Sequence, residues 1–140
     1  MEAHIMTTRK SAKSKGSQFE MDCTYSLQKI EHFKNIRRLG PEGFQAQYDL
    51  KNDGKYNYCF ECKFLKTITW NAAKKFFIKL EEKTEVGYMP MLIYKTNQQP
   101  VLVMFRDSDK CINVVEFEDH FRIPFIKHES TRAKKGDENE

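Results

Sequence analysis

Tyr56-Asn57-Tyr58-Cys59-Phe60-Glu61-Cys62-Lys63-Phe64 is the stretch on which the fold turns. Its aromatic and apolar residues make Tyr56 to Leu65 the longest strand candidate in the chain. Side chains alternate along a strand, so Glu61 and Lys63 share one face while Phe60, Cys62 and Phe64 share the other. A carboxylate and an ammonium on an otherwise apolar strand are costly to bury. Taken alone, Glu61-Cys62-Lys63 reads equally well as an exposed ion pair on an edge strand.

Asp49 changes that balance. It sits on the preceding segment, in Tyr48-Asp49-Leu50, with the turn signal Asn52-Asp53-Gly54-Lys55 between it and Glu61. Two carboxylates from adjacent strands, with a cation beside them, suit a Mg²⁺ site that keeps positions open for water and phosphate. Register decides whether they meet. A two-residue turn at Asp53-Gly54 sets Asp49 opposite Tyr58 and points it away from Glu61. An odd-length loop, such as Gly54-Lys55-Tyr56, puts both carboxylates on one face. The metal reading therefore expects an odd-length loop or a bulge.

Working outward, Ser17-Gln18-Phe19-Glu20 fits a capping box, which predicts a helix start. Phe19, Cys23, Leu27 and Ile30 then give one apolar face down to about Phe33. Ile36 belongs with a short strand before the break at Gly40-Pro41-Glu42-Gly43, and Phe44 to Leu50 suits another strand. Beyond the long strand, Thr69 caps a predicted helix from Trp70 to about Lys83. Its apolar positions are Trp70, Ala73, Phe77 and Leu80, with Lys74, Lys75 and Lys79 between them. Gly87 and Pro90 stop it. Met91 to Tyr94 and Val101 to Phe105 are short strands joined across Asn97-Gln98-Gln99-Pro100. Ile112 to Phe117 adds a last strand, and Glu118 to Phe125 a short helical or irregular piece. This order predicts a single α/β domain, a central mixed β-sheet flanked by helices.

The length of 140 residues suits one core. Residues 1–16 read as a flexible basic arm, 17–126 as the folded domain and 127–140 as a charged disordered tail. The eleven Phe supply a core without disulfide staples, so the four cysteines are expected as reduced thiols in a cytoplasm. No apolar run approaches the roughly 18–20 residues of a membrane span. The polar, basic start to Ser17 does not read as a secretory signal. The net charge of +4 matters less than its placement. Arg9, Lys10, Lys13 and Lys15 crowd the arm, either as a handle for DNA phosphates or as a solvated tail. Arg38, Lys66, Lys74 and Lys75 are candidates to line a DNA groove, against the alternative of an ordinary solvated surface.

Other motifs carry less. Cys59 and Cys62 would face opposite sides of a strand, and no second Cys pair accompanies them, which argues against zinc. His4, His32, His120 and His128 are scattered, and there is no Gly-rich phosphate loop. Trp70, with Phe76 and Phe77, reads as core rather than as a base-stacking platform.

Three motifs together resemble a known family. Lys15-Gly16-Ser17-Gln18-Phe19-Glu20 resembles the Lys-Gly-Ser-x-x-Glu opening of archaeal-type Holliday junction resolvases. Tyr48-Asp49-Leu50 resembles their Pro-Asp-Ile/Leu element, and Phe60-Glu61-Cys62-Lys63 their Ile-Glu-x-Lys element. Order and spacing agree from about residue 13 to residue 105, and bacterial and phage resolvases of the same PD-(D/E)xK superfamily share these elements. The resemblance implies a restriction-endonuclease-like αβββαβ core. It further implies that Asp49 and Glu61, with the Cys62 carbonyl, bind Mg²⁺ (or Mn²⁺ in its place) and that Lys63 orients or deprotonates the attacking water. Glu20 would touch the metal or its waters, unless it is only a helix cap. The implied protein is a homodimeric nuclease that resolves four-way DNA junctions in a prokaryotic or phage-infected cell.

Two departures bear on this. Tyr48 replaces the structural proline. Arg38-Leu39-Gly40-Pro41-Glu42-Gly43-Phe44 replaces a Ser/Gly-rich loop and offers no serine, which touches the junction reading more than the nuclease reading. The alternatives are another superfamily nuclease acting on duplex or single-stranded DNA, and a non-catalytic nucleic-acid-binding module.

Overall fold

Alternation along Tyr58–Leu65 and helical periodicity along Trp70–Lys83 both appear in the structure, as a strand and the crossover helix that follows it. The computed structural model describes residues 2–39 and 48–127, with side chains from Lys15 onward. Its elements are α1 (Glu2–Leu27), a 3-10 turn (Glu31–Phe33), β1 (Arg37–Arg38), β2 (Leu50–Asn52), β3 (Tyr58–Leu65), α2 (Trp70–Lys83), β4 (Met89–Thr96), β5 (Leu102–Arg106), β6 (Ile112–Glu116) and α3 (Phe117–Phe121). The strands form one six-stranded sheet in the order β1 to β6. All neighbours pair antiparallel except β3 and β4, which α2 joins as a parallel crossover. This is the single α/β domain with a mixed sheet and flanking helices that the sequence predicts.

Each sheet face has its own helix. Phe19, Cys23 and Leu27 of α1 pack with Leu50, Phe60, Ile93 and Val103 on one face. Ala73 and Phe77 of α2 pack with Leu92, Tyr94 and Met104 on the other. Phe33 meets Phe60 edge-on, with ring centroids 5.4 Å apart, and closes the first core near the hairpin.

Several boundaries differ from expectation. α1 runs unbroken through Ser17, so the helix does not start at a Ser17 cap, and residues 2–16, expected as an arm, take helical backbone. Helical periodicity ends at Leu27, and Ile30 and Phe33 join the core from a 3-10 turn instead. The strand expected over Phe44 to Leu50 begins only at Leu50, while residues 44–47 lie outside the described part, as does the expected tail beyond Lys127. Trp70, expected in the core, is 52% exposed. No helix among the described residues is long and apolar enough to cross a membrane.

The α2 start is as expected. The Thr69 hydroxyl oxygen accepts a hydrogen bond from the Ala72 N–H at 3.1 Å, satisfying a backbone donor that the first helical turn leaves free. Thr69→Ala should lower the unfolding free energy by about 0.5–2 kcal/mol, read by urea denaturation, with Thr69→Asn restoring it.

Candidate active site

The geometry begins with the hairpin register. Leu50 pairs with Phe60, Lys51 with Cys59 and Asn52 with Tyr58, which leaves Asp53 to Asn57, five residues, as the loop. The loop is therefore of odd length. Asn52 is buried and ties it down, donating from Nδ2 to the Tyr56 carbonyl at 2.6 Å and to the His32 carbonyl at 3.1 Å. Gly54 takes a positive φ of 129° inside the loop, a conformation that favours glycine.

One residue past the paired ladder, the Asp49 N–H donates at 3.0 Å to the carbonyl of Phe60, the residue that also pairs with Leu50, so the strand takes a bulge-like step there, and the Asp49 side chain hydrogen-bonds with that of Glu61. Its carboxylate accepts the Cys62 N–H at 2.8 Å. An extended strand points the N–H and C=O of one residue to the same side, so the Cys62 carbonyl also looks toward Asp49. Tyr48 anchors the approach to this point. Its ring packs with Cys59 and Leu80, and its hydroxyl donates to Glu85 at 2.8 Å. The proline of the resolvase motif is thus replaced by a packed, hydrogen-bonded tyrosine.

Glu61 and Lys63 lie on the α2 face of β3, the third strand of six. Both are half-buried. The edge-strand ion pair does not form: among the described residues, no ion pair joins them. Instead, the Lys63 ammonium sits 4.9 Å from the centre of the Phe76 ring, a cation–π contact that holds the side chain against α2.

Burial pushes the Glu61 carboxyl up first, and the negative charge and hydrogen bonding of Asp49 push it further. Lys63 and Lys83 pull in the other direction, and the net value is about 8. Two carboxyl groups thus share a partly desolvated place, the electrostatic setting a divalent cation relieves. Glu20 stands nearby on α1. Its carboxyl is also raised, by burial and then by Asp49, while Arg38 opposes the shift through a 3.2 Å ion pair. With Ser17 inside the helix, capping does not account for Glu20. Among the described residues, no three His, Cys, Asp or Glu side chains converge as a ready-made metal set. The donors fit Mg²⁺ rather than zinc: one or two carboxylates and a carbonyl, with waters completing the shell. Cys59 and Cys62 do not contribute thiolates to one site, because they pack in different cores on opposite faces of β3.

This charge balance has a measurable consequence in metal-free protein. A carboxyl that stays neutral in the fold but ionises in the unfolded chain favours folding at low pH. For Glu61 that contribution is complete below about 4.5 and is lost as pH rises through about 8. The melting temperature in chelator should therefore fall across this window through the Glu61 contribution. Glu61→Gln should flatten the fall, and Mg²⁺ should oppose it in the parent. An unchanged pH slope in Glu61→Gln would separate the site from the titration.

Of the predicted DNA contacts, Lys15, Lys66, Lys74 and Lys75 are exposed, whereas Arg38 is engaged by Glu20. The side chains of Arg9, Lys10 and Lys13 lie outside the described residues. Two lysines went unnoticed in the sequence. Lys83 reaches the field of Glu61, and its signal was the helical stripe Phe76, Leu80, Lys83, whose apolar part packs on β3 and β4. Lys95 lies over the Phe64 ring and shares a cleft with Lys15 and Lys127.

Residues 11–138 match the model of the family described as "Phage putative PDDEXK endonuclease". No curated protein matches the chain. The match runs from α1 past α3 and spans Asp49, Glu61 and Lys63. With that span and this site, the chain belongs to the phage PDDEXK endonuclease family, within the PD-(D/E)xK nuclease superfamily.

Proposed function

We propose that the protein hydrolyses DNA phosphodiesters with Mg²⁺, Mn²⁺ being a working substitute, at the site formed by Asp49, Glu61 and Lys63. The observation that carries this is the direct interaction of the Asp49 carboxyl with that of Glu61, which lies two residues from Lys63 on β3. Asp49, Glu61 and the Cys62 carbonyl would hold the metal, with Glu20 reaching its waters. When bound, the metal supplies Lewis acidity and a more acidic water. Lys63 orients the attacking water and offsets charge on the scissile phosphate. Phe76 fixes the Lys63 stem, and Lys15, Lys66, Lys74 and Lys75 draw in the phosphate backbone.

The finer reading is resolution of four-way junctions, supported by the Lys15 to Glu20 opening motif. Paired cuts on opposite strands need two sites, so a two-fold homodimer belongs to that reading. The absence of a serine between Arg38 and Phe44 favours a second reading, a nuclease for linear duplex or single-stranded DNA. Equal concentrations of four-way junction, linear duplex and single strand, incubated with Mg²⁺ or with chelator, decide among them. Cleavage should require the metal, with the junction cut fastest and as paired nicks. Linear duplex cut as fast as the junction would remove the finer reading. DNA bound but never cut, in Mg²⁺ or Mn²⁺, would leave only a binding module.

A further inference from the structure

The chain has one tryptophan, Trp70, and it is exposed at the first turn of α2. Beside it opens a cavity of about 390 Å³ whose lining includes Trp70, Tyr94, Thr96, Gln99, Leu102 and Glu116. That volume falls in the range of small-ligand pockets, roughly 300–1,000 Å³. Its position relative to the candidate active site follows from the sheet register. Lys63 pairs with Tyr94, Tyr94 with Leu102, and Leu102 with Glu116, so these four side chains form one row across β3 to β6 on the α2 face. The pocket is therefore built on the row that Lys63 begins. Its nearest wall, Tyr94, stands one strand from Lys63, about 5 Å away.

Charge sorts what can enter. Lys66 follows directly on the end of β3, and Lys74 lies one helical turn from Trp70 on the same face of α2. Both are exposed cations that attract phosphate. Glu116 at the far wall repels phosphate but can accept a hydrogen bond from the exocyclic amino group of a base. Thr96 and Gln99 add polar edges, and the Trp70 indole offers an aromatic face. A backbone passing Lys63, Lys66 and Lys74 would thus direct a base, rather than a phosphate, into the cavity.

We propose that this cavity receives one unpaired nucleobase of the DNA substrate, stacked on Trp70, within a few nucleotides of the bond that is cut. The pocket selects DNA that offers an unpaired base over fully paired duplex. The inference rests on the nuclease reading for its substrate.

Because Trp70 is the sole indole, its fluorescence reports the contact without interference. Asp49→Asn protein in chelator, with cleavage disabled, would be titrated with single strand, with duplex carrying one unpaired nucleotide, and with fully paired duplex of the same length. Emission should be quenched by the first two and little changed by the third. Trp70→Ala should weaken binding of the first two by roughly 5- to 150-fold, the span of a single base–aromatic stack, and leave paired duplex within about twofold. Trp70→Phe should recover part of the loss. Unaltered emission at saturating single strand, or an equal loss on paired duplex, would overturn the pocket while leaving the nuclease reading intact if the parent still cuts. Selective quenching with no DNA cut by the parent in Mg²⁺ or Mn²⁺ would uphold the pocket and remove the nuclease reading.

Discussion

Asp49→Asn and Glu61→Gln should each lower Mg²⁺-dependent DNA cleavage by about 10²- to 10³-fold or more, the loss expected when one preorganised electrostatic partner leaves a catalytic site. The charge and hydrogen bond of Asp49 push the Glu61 carboxyl up, so the two side chains interact directly. Their effects should therefore not multiply: the double variant should cut about as slowly as the worse single one. DNA binding in chelator should survive in both, since the substitutions remove negative charge. Lys63→Ala should fall in the same range by a different route. Its metal affinity, read by calorimetry, should hold or rise because a nearby positive charge is gone. Single-turnover cleavage is the deciding measurement, and rates within about threefold of the parent in both carboxylate variants would remove the catalytic assignment.

Phe60→Ala should be the most damaging of the simple core truncations near the site, at about 3–5 kcal/mol. Phe60 is fully buried between α1 and the sheet, meets Phe33 edge-on and stacks beside Tyr58 at 5.8 Å. Its carbonyl is also the acceptor for the Asp49 N–H. A domain of this size holds a total stability of about 5–15 kcal/mol, so the variant should melt on the order of 10–20 °C lower. Val86→Ala, at a fully exposed residue, is the control and should stay within about 0.5 kcal/mol. A small loss for Phe60→Ala would mean that the first core is far looser than its contacts indicate.

Much of this architecture was legible in the sequence because it rests on periodicity. The alternation in β3 separates Glu61 and Lys63 from Phe60 and Cys62, and the stripe Ala73, Phe77, Leu80 sets α2 against the sheet. The hairpin register was not legible. Asp53-Gly54 is a good two-residue turn, but the seating of Asn52 on the His32 and Tyr56 carbonyls, the Gly54 N–H bond to the Asn57 side chain and the Arg37–Asp53 ion pair hold the longer loop. Ser17 to Glu20 carries a capping pattern, but the helix continues through it because residues on both sides can be helical. Trp70 misleads for a geometric reason. Helical side chains lean toward the N-terminus, so an apolar residue at the first position of α2 projects past the part of the sheet that Ala73 and Phe77 cover. Lys83 and the Arg38–Glu20 pair depend on how far α2 and α1 run beside the hairpin, which no local pattern records.

The parallel pairing of β3 with β4 also fixes the order in which the site can mature. Both carboxylates and Lys63 lie within one local hairpin, which closes on a timescale of about 1–10 μs once its residues are free. The Phe76 ring that holds Lys63, and the packing that desolvates Glu61, arrive only with α2 and β4. A chain still being synthesised thus has its acidic pair early and its working environment late. The local hairpin alone therefore carries the residues of the candidate site without the surroundings that α2 and β4 provide.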